Sequence, residues 1–330
     1  NDSRLSTARC LQIQRIASEL GYQPHPMVSA LMSQIHRPRR SMDPCCLSWI
    51  DFCLDEPAST ATSFSRELLL GAQARAKQLC YQIDVHRVGS GQLSLRRLQS
   101  ILYARRQWGL IIPPVPDSYR DLDLEVDELS CVTIGTSLRS PVLHCVSTDY
   151  YHGGQIAFNQ AIARGARKIG LVLSRSANDG NHGKWLAAFL ERQQSTTRIE
   201  NHIPPLIVHP SEHDRVAHWQ RRYLPDSILV AEQTLADEVR KCVSCPSPEL
   251  IWLMRTASAQ ADPGLDHKPR LLGAAAVDRV VDQIHRNERG EPRVAQTLLL
   301  PSRWVEPALE TAPLTVVPDS ETQTNELFLQ

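Results

Sequence analysis

The sequence predicts an α/β protein made of two doubly wound, parallel-sheet halves, preceded by a small all-α segment. Three observations carry this prediction. Beyond residue 45, apolar runs of strand length alternate with amphipathic runs of helix length. Near residue 150 the same plan starts again, so two medium halves fit 330 residues better than one very wide sheet. Residues 36 to 45, HRPRRSMDPC, interrupt all periodicity with two prolines and a basic cluster, and so separate the front of the chain from the rest.

The front is helical by spacing. Ile13, Ile16, Ala17 and Leu20 recur at i, i+3, i+4 and i+7, the mark of one buried helix face, with Ser6 or Thr7 as N-cap and Gly21 as the stop. Pro24 and Pro26 then fix an extended link. Met27, Val28, Ala30, Leu31 and Met32 follow in a helix of barely two turns, too short to persist without a partner surface.

Past the linker, LSWIDFCL (47 to 54) reads as a buried strand and SRELLLGAQARAKQLC (65 to 80) as an amphipathic helix. YQIDVHRV (81 to 88) alternates as a strand, 93 to 106 returns to helix, and WGLIIPP (108 to 114) is a strand stopped by prolines. CVTIGT and VLHCVST add two more strands. The second half offers helix 153 to 164, strand 168 to 173, helix 184 to 193, strand 227 to 231, helix 234 to 242 and strand 250 to 254. The clearest helix is 271 to 290, with Leu272, Ala275, Ala276, Val280 and Ile284 in one stripe and Gly290 at its end.

Composition excludes several classes. With 42% hydrophobic and 22% charged residues the chain is not disordered. No apolar stretch approaches a membrane span, and the N-terminus lacks the order of a signal peptide. The nine cysteines are irregularly spaced and often sit in apolar runs (Cys53, Cys80, Cys131), which predicts buried free thiols in a reducing compartment, the cytoplasm. Formal net charge is +0, yet residues 1 to 40 carry Arg4, Arg9, Arg15, Arg37, Arg39 and Arg40 against Asp2 and Glu19. That surplus of four positive charges, offset by four negative ones in the rest, suits a polyanion-binding front on an acidic body.

Six stretches, in this order, carry a resemblance to a known family. They are Glu19-Leu20-Gly21-Tyr22-Gln23-Pro24-His25 with Val28-Ser29-Ala30-Leu31; Asp149-Tyr150-Tyr151-His152-Gly153-Gly154 through Ala157; Arg164-Gly165-Ala166-Arg167-Lys168-Ile169-Gly170; Pro225-Asp226-Ser227-Ile228; and Leu272-Gly273 through Val277 and Asp278. The sequence resembles the lactose-repressor (LacI/GalR) family of bacterial transcription regulators over most of its length.

The resemblance implies a partial helix-turn-helix head, hinge helix and linker (1–45) before a periplasmic-binding-protein-like core. The core's N-terminal subdomain would be 46–148 with 266–300, and its C-terminal subdomain 149–265 with 301–330, the chain crossing near 148, 265 and 301. The family's first two head helices, which include the recognition helix, precede the part that matches here, so the expectation is of a chain trimmed before Asn1.

For DNA, the residues themselves suggest phosphate neutralisation by Arg4, Arg9 and Arg15, with Ser6 and the amides of the helix start gripping a phosphate. The resemblance extends the contacting set to Tyr22, His25, Val28, Ser29, Leu31 and Met32. It casts Leu31 as the wedge that paired hinge helices drive into the minor groove. Without it, Leu31 and Met32 read as residues packed on the core.

For a small-molecule effector, the resemblance implies a cleft between the subdomains near the strands' carboxyl ends. Asp149 belongs to that neighbourhood but equally suits a helix cap, and Phe64 stands at an aromatic ligand-contact position but equally suits the core. Asn181 replaces the family's effector-gripping arginine. Arg255 falls where the family's "G-F-D-D" places its sugar-holding acid, so that either the ligand is anionic or the pocket has lost its effector. Trp185 offers a stacking surface or core packing.

Other patterns carry little. Cys242-Val243-Ser244-Cys245 lacks a second pair at zinc spacing, so no metal is expected. His202, His209, His213 and His218 match no metal motif and read as a solvated loop, and Gly89-Ser90-Gly91 as a chain turn. No G-x-S-x-G, P-loop or H-E-x-x-H is present, and no nucleophile and base stand together. The expectation is a non-enzymatic, cofactor-free, cytoplasmic regulator, probing operator DNA as a homodimer under effector control, with helices 65 to 80 and 271 to 290 as dimer contacts. The competing expectations are a solute-binding protein of the same core fold that does not bind DNA, and an enzyme on a doubly wound scaffold.

Overall fold

The computed structural model describes residues 7–19, 45–52, 60–89, 91–105, 107–209, 212, 214–242, 247–255 and 261–307. Its first element, α1 (Thr7–Glu19), is the helix that the apolar spacing predicts. The expected buried face does not follow, because Ile13 is 51% and Ile16 46% exposed. An amphipathic stripe is buried only where another surface meets it, and no described surface meets this one. The Gly21 stop, the second short helix, the linker, and Arg4, Ser6, Tyr22, His25, Val28, Ser29, Leu31 and Met32 lie outside the described residues.

Two sheets follow, as the alternating pattern predicts. The first joins β1 (Cys45–Phe52), β2 (Tyr81–Val88), β3 (Gly109–Ile112), β4 (Ser130–Ile134), β5 (His144–Thr148) and β11 (Thr297–Leu300). Its order is β11-β5-β4-β3-β1-β2, parallel at every pairing. The second joins β6 (Ile169–Ser174), β7 (Leu206–Val208), β8 (Ser227–Val230), β9 (Glu249–Trp252), β10 (Gly264–Asp266) and β12 (Arg303–Val305), in the order β12-β10-β9-β8-β6-β7. There only β12 runs antiparallel.

Helices cover both faces of each sheet, which is why the central strands read as unbroken apolar runs. In the first half, α2 (Thr60–Gln78) and α9 (Pro269–Arg286) bury Leu47, Trp49 and Val132 of one face, while α3 (Leu95–Ala104) covers Ile50 and Leu110 of the other. The second half packs α4 (Tyr150–Ala163) and α6 (Lys184–Thr196) around Phe158, Phe189 and Leu171, with the short helix α5 (Arg175–Gly180) between them in sequence. On its opposite face α7 (Asp214–Tyr223) and α8 (Gln233–Lys241) enclose Trp219 and Trp252.

The chain passes between the halves where β5 gives way to α4, where β10 gives way to α9, and where β11 gives way to β12. The helices α2 and α9 touch backbone to backbone: a Cβ on Gly71 would stand 2.0 Å from the Arg270 carbonyl oxygen, and one on Gly273 2.0 Å from that of Leu68. The two helices named as dimer contacts therefore spend one face on each other, leaving Leu70 and Leu271 exposed outside the seam.

Three expectations need correction. The histidine-rich stretch is not one loop: β7 and α7 occupy it, with His218 on α7, while His213 lies outside the described residues. A strand of three residues is too short to show alternation, and α7 buries only Val216, Trp219 and Gln220 of an otherwise polar sequence. Strands β10 and β12, three residues each, escaped for the same reason of length, and β11 escaped as an edge strand that is largely exposed. Cys80 is exposed, because it lies at positive φ in the turn after α2, whereas Cys131 and Cys145 are buried free thiols as expected. Burial pushes the Cys145 thiol up to about 11.

Candidate functional site

A cavity of about 180 Å³ opens between the halves, lined by Ser63, Phe64, Glu67, Arg255, Asp266, His267 and Pro269. Its first wall is the start of α2, where Ser63, Phe64 and Glu67 fall within one turn and a quarter and so share a side of the helix. Its second wall comes from the carboxyl ends of β9 and β10, the edge at which open α/β sheets receive ligands. Pro269, the first residue of α9, completes it.

His267 anchors the second wall. It is 4% exposed and makes two hydrogen bonds, Nε2 with the Leu253 carbonyl at 2.7 Å and Nδ1 with Ser302 Oγ at 2.8 Å. A carbonyl only accepts, so Nε2 carries the proton and the Ser302 hydroxyl donates to Nδ1. Burial drives the imidazole down to about 4, holding it neutral. The ring thus ties the end of β9 to the third crossing.

The wall carboxylates are both engaged. Arg270 donates to Glu67 at 2.6 Å and holds that carboxyl below its usual range. Asp266 accepts the Lys268 amide at 2.8 Å and has Arg303 at 3.6 Å. Arg255 is fixed by its amide on the Leu265 carbonyl and its Nε on the Asp262 carbonyl, 3.1 Å away. The Asp262 carboxylate is itself taken by Trp252 Nε1 and Arg240.

The five effector candidates are divided by the structure. Phe64 and Arg255 line the cavity, and Phe64 also packs against the first core. Trp185 sits behind the wall, 4% exposed, stacked on His267 at 6.2 Å and edge-on to Tyr150 at 5.2 Å, its Nε1 without an acceptor among the described residues. Asp149 caps α4 by accepting the His152 amide at 3.0 Å. Asn181 is buried between α5 and α6, its Nδ2 donating to the Ala177 carbonyl at 2.7 Å and its Oδ1 accepting the Lys184 amide at 2.8 Å. Asp149 and Asn181 are not among the lining residues.

Sequence reasoning missed Ser63, Glu67, Asp266, His267 and Pro269. The signal available was the crossing it placed near 265, since residues flanking a crossing necessarily stand at the junction. Of the DNA candidates, Arg9 and Arg15 are described, both exposed on α1, with Arg15 paired to Glu19 at 2.9 Å. Elsewhere along the junction α5 reaches the first half through two bonds, Thr136 Oγ1 to the Gly180 carbonyl at 2.7 Å and Ser176 Oγ to Asp117 Oδ1 at 3.2 Å. Among the described residues no group of three His, Cys, Asp or Glu is placed to hold a metal, and no helix is long and apolar enough to cross a membrane.

No protein-family model matches the chain, and none of the curated proteins matches it in sequence. Solved structures do. The lac repressor dimer bound to operator and the anti-inducer ONPF is 16% identical, with 86% of this chain and 98% of that chain covered at a TM-score of 0.57. Transcription regulator CcpA of Lactococcus lactis is 14% identical, covering 80% and 98% at 0.55. A periplasmic binding protein/LacI transcriptional regulator from Alkaliphilus metalliredigens, complexed with D-xylulofuranose, is 12% identical, covering 79% and 97% at 0.55. The chain therefore has the two-subdomain α/β fold of LacI-type regulators and periplasmic-binding-like proteins.

Proposed function

We propose that this protein is a DNA-binding transcriptional regulator of the lactose-repressor type, a repressor, that responds to a small molecule held in the cavity between its two halves. The observation that carries this reading is the cavity's construction: one wall belongs to each half, so an occupant bears on the angle between them. The basic front and the motif run from Glu19 to Leu31 supply the DNA-binding part of the proposal.

In this reading the subdomains divide at the three crossings, into 46–148 with 266–300 and 149–265 with 301–330. The protein acts as a homodimer on double-stranded operator DNA, with Phe64 and Arg255 touching the effector directly and Trp185 supporting the wall they face. Asp149 and Asn181 act through the helices they cap.

The test is a gel shift with protein expressed from its gene's own start and DNA fragments from around that gene. Retarded DNA that is released when a small molecule is added supports the proposal. A protein that retards no fragment, yet binds a small molecule in the cavity, supports the solute-binding alternative in its place.

A further inference from the structure

We infer that the open edge of the first sheet, strand β11, is covered by a segment of this chain's own tail, Leu314-Thr315-Val316-Val317, added antiparallel as a further strand. The backbone of the edge is set to be paired. Its described neighbour is β5, whose Cys145 and flanking Asp149 amides donate to the Gln296 and Leu300 carbonyls. Alternate residues of a strand bond the same neighbour, so the amides and carbonyls of Thr297 and Leu299 face the open side. No described strand meets them there.

The side chains point the same way. Thr297, Leu298 and Leu299 are exposed, the two leucines by 49% and 45% and on opposite faces of the sheet. Uncovered edges are blunted by charged residues or proline, as by Asp84 and Arg87 on β2 at the sheet's other edge. β11 carries neither.

Reach, pattern and charge name the occupant. Pro307 lies seven residues past Leu300, and Leu314 seven past Pro307. Each stretch spans at most about 25 Å, so the return is as long as the way out and brings Leu314 back opposite Leu300. The segment is rich in β-branched residues, matches β11 in its four residues and is stopped on both sides by Pro313 and Pro318. In this register Thr315 faces Leu299 and Val317 faces Thr297, each pair exchanging both hydrogen bonds, while Val316 covers Leu298.

Residues 308–330 hold Glu310, Asp319, Glu321 and Glu326 and no lysine or arginine. β11 is bracketed by Arg293 and Arg303, the latter also 3.6 Å from Asp266, so the register brings Glu310 toward Arg303 and Asp319 toward Arg293. A second copy of β11 paired antiparallel would instead set Arg293 toward Arg303 of the other copy, like charge on like.

The experiment is hydrogen–deuterium exchange on the whole chain, read at single residues by mass spectrometry, at two protein concentrations about tenfold apart. The expected result is that the Thr297 and Leu299 amides exchange at least about tenfold more slowly than in a free peptide. Thr315→Pro, which removes the amide that meets Leu299, should return both to the free-peptide rate, while Leu298 and Leu300, which face β5, keep theirs. Free exchange of Thr297 and Leu299 in the parent protein leaves the edge uncovered and overturns the inference. Protection that survives Thr315→Pro and grows with concentration gives the edge to a second copy, and protection that survives it equally at both concentrations gives it to another segment. Either result overturns the tail as occupant.

Discussion

Gly71 and Arg270 lie so close that the backbone of α9 occupies the space of a side chain on α2, 2.0 Å from where a Cβ would be. Both helices also border the cavity, α2 through Ser63, Phe64 and Glu67 and α9 through Pro269. The seam therefore fixes one wall relative to the crossing that leads to the other. Gly71→Ala is expected to push the helices apart and to destabilise the fold by about 2 kcal/mol or more, the scale of overpacking against rigid backbone. Urea denaturation checks this, and a midpoint within error of the parent protein would show that the seam yields freely.

The buried His267 makes stability depend on pH. Its native pKa, about 4, lies below the ordinary 6.5, so the unfolded chain binds a proton more readily than the native one. The stabilisation from keeping it neutral is complete above pH 6.5, falls as pH drops between 6.5 and 4, and is level below that. The full effect is about 3 kcal/mol at the rate of 1.36 per unit. His86 and His144 are also lowered by burial and act in the same sense. Unfolding curves at pH 7.5 and 5 should show a smaller loss in His267→Asn than in the parent, and equal losses would assign the slope to other groups.

Two bonds from α5, to Thr136 and Asp117, also tie the halves together. Removing both, with Thr136→Val and Ser176→Ala, is expected to cost little stability, about 0.5–1.5 kcal/mol for each exchanged bond. It should also let the ligand-free halves open. Small-angle scattering would register a larger radius of gyration, and an unchanged profile would mean that α5 bears no part of the closure.

For DNA, Leu31→Ala is expected to weaken operator binding by at least about tenfold, as loss of an apolar wedge removes the contacts that repay unstacking. The circular dichroism of the core should stay as it was. Unaltered retardation of operator fragments by the variant would remove Leu31 from the interface.

How much was legible in the sequence follows from the range of the forces involved. The strands β1, β6 and β8 announced themselves because a sheet covered on both faces demands an apolar residue at nearly every position, and the edge strand β2 by its alternation; both demands are local. The short strands β7, β10 and β12 owe their existence to neighbours already in place, as when Leu265 pairs with Trp304, and three residues hold no period. At the cavity, Phe64 and Arg255 came from positions matched to a family, while Glu67 and His267 meet across about 200 intervening residues that no spacing rule spans. Asp149 was readable in two ways from its place before a helix, and its hydrogen bond to the His152 amide shows the capping one.

The third crossing has a consequence for the birth of the protein. Strand β11 closes the edge of the first sheet and β12 the edge of the second, and the two are separated only by Pro301 and Ser302. A nascent chain halted before residue 297 lacks an edge strand in both halves at once, however long ago their central strands left the ribosome. Both halves thus receive their last described strand within the same few residues of translation.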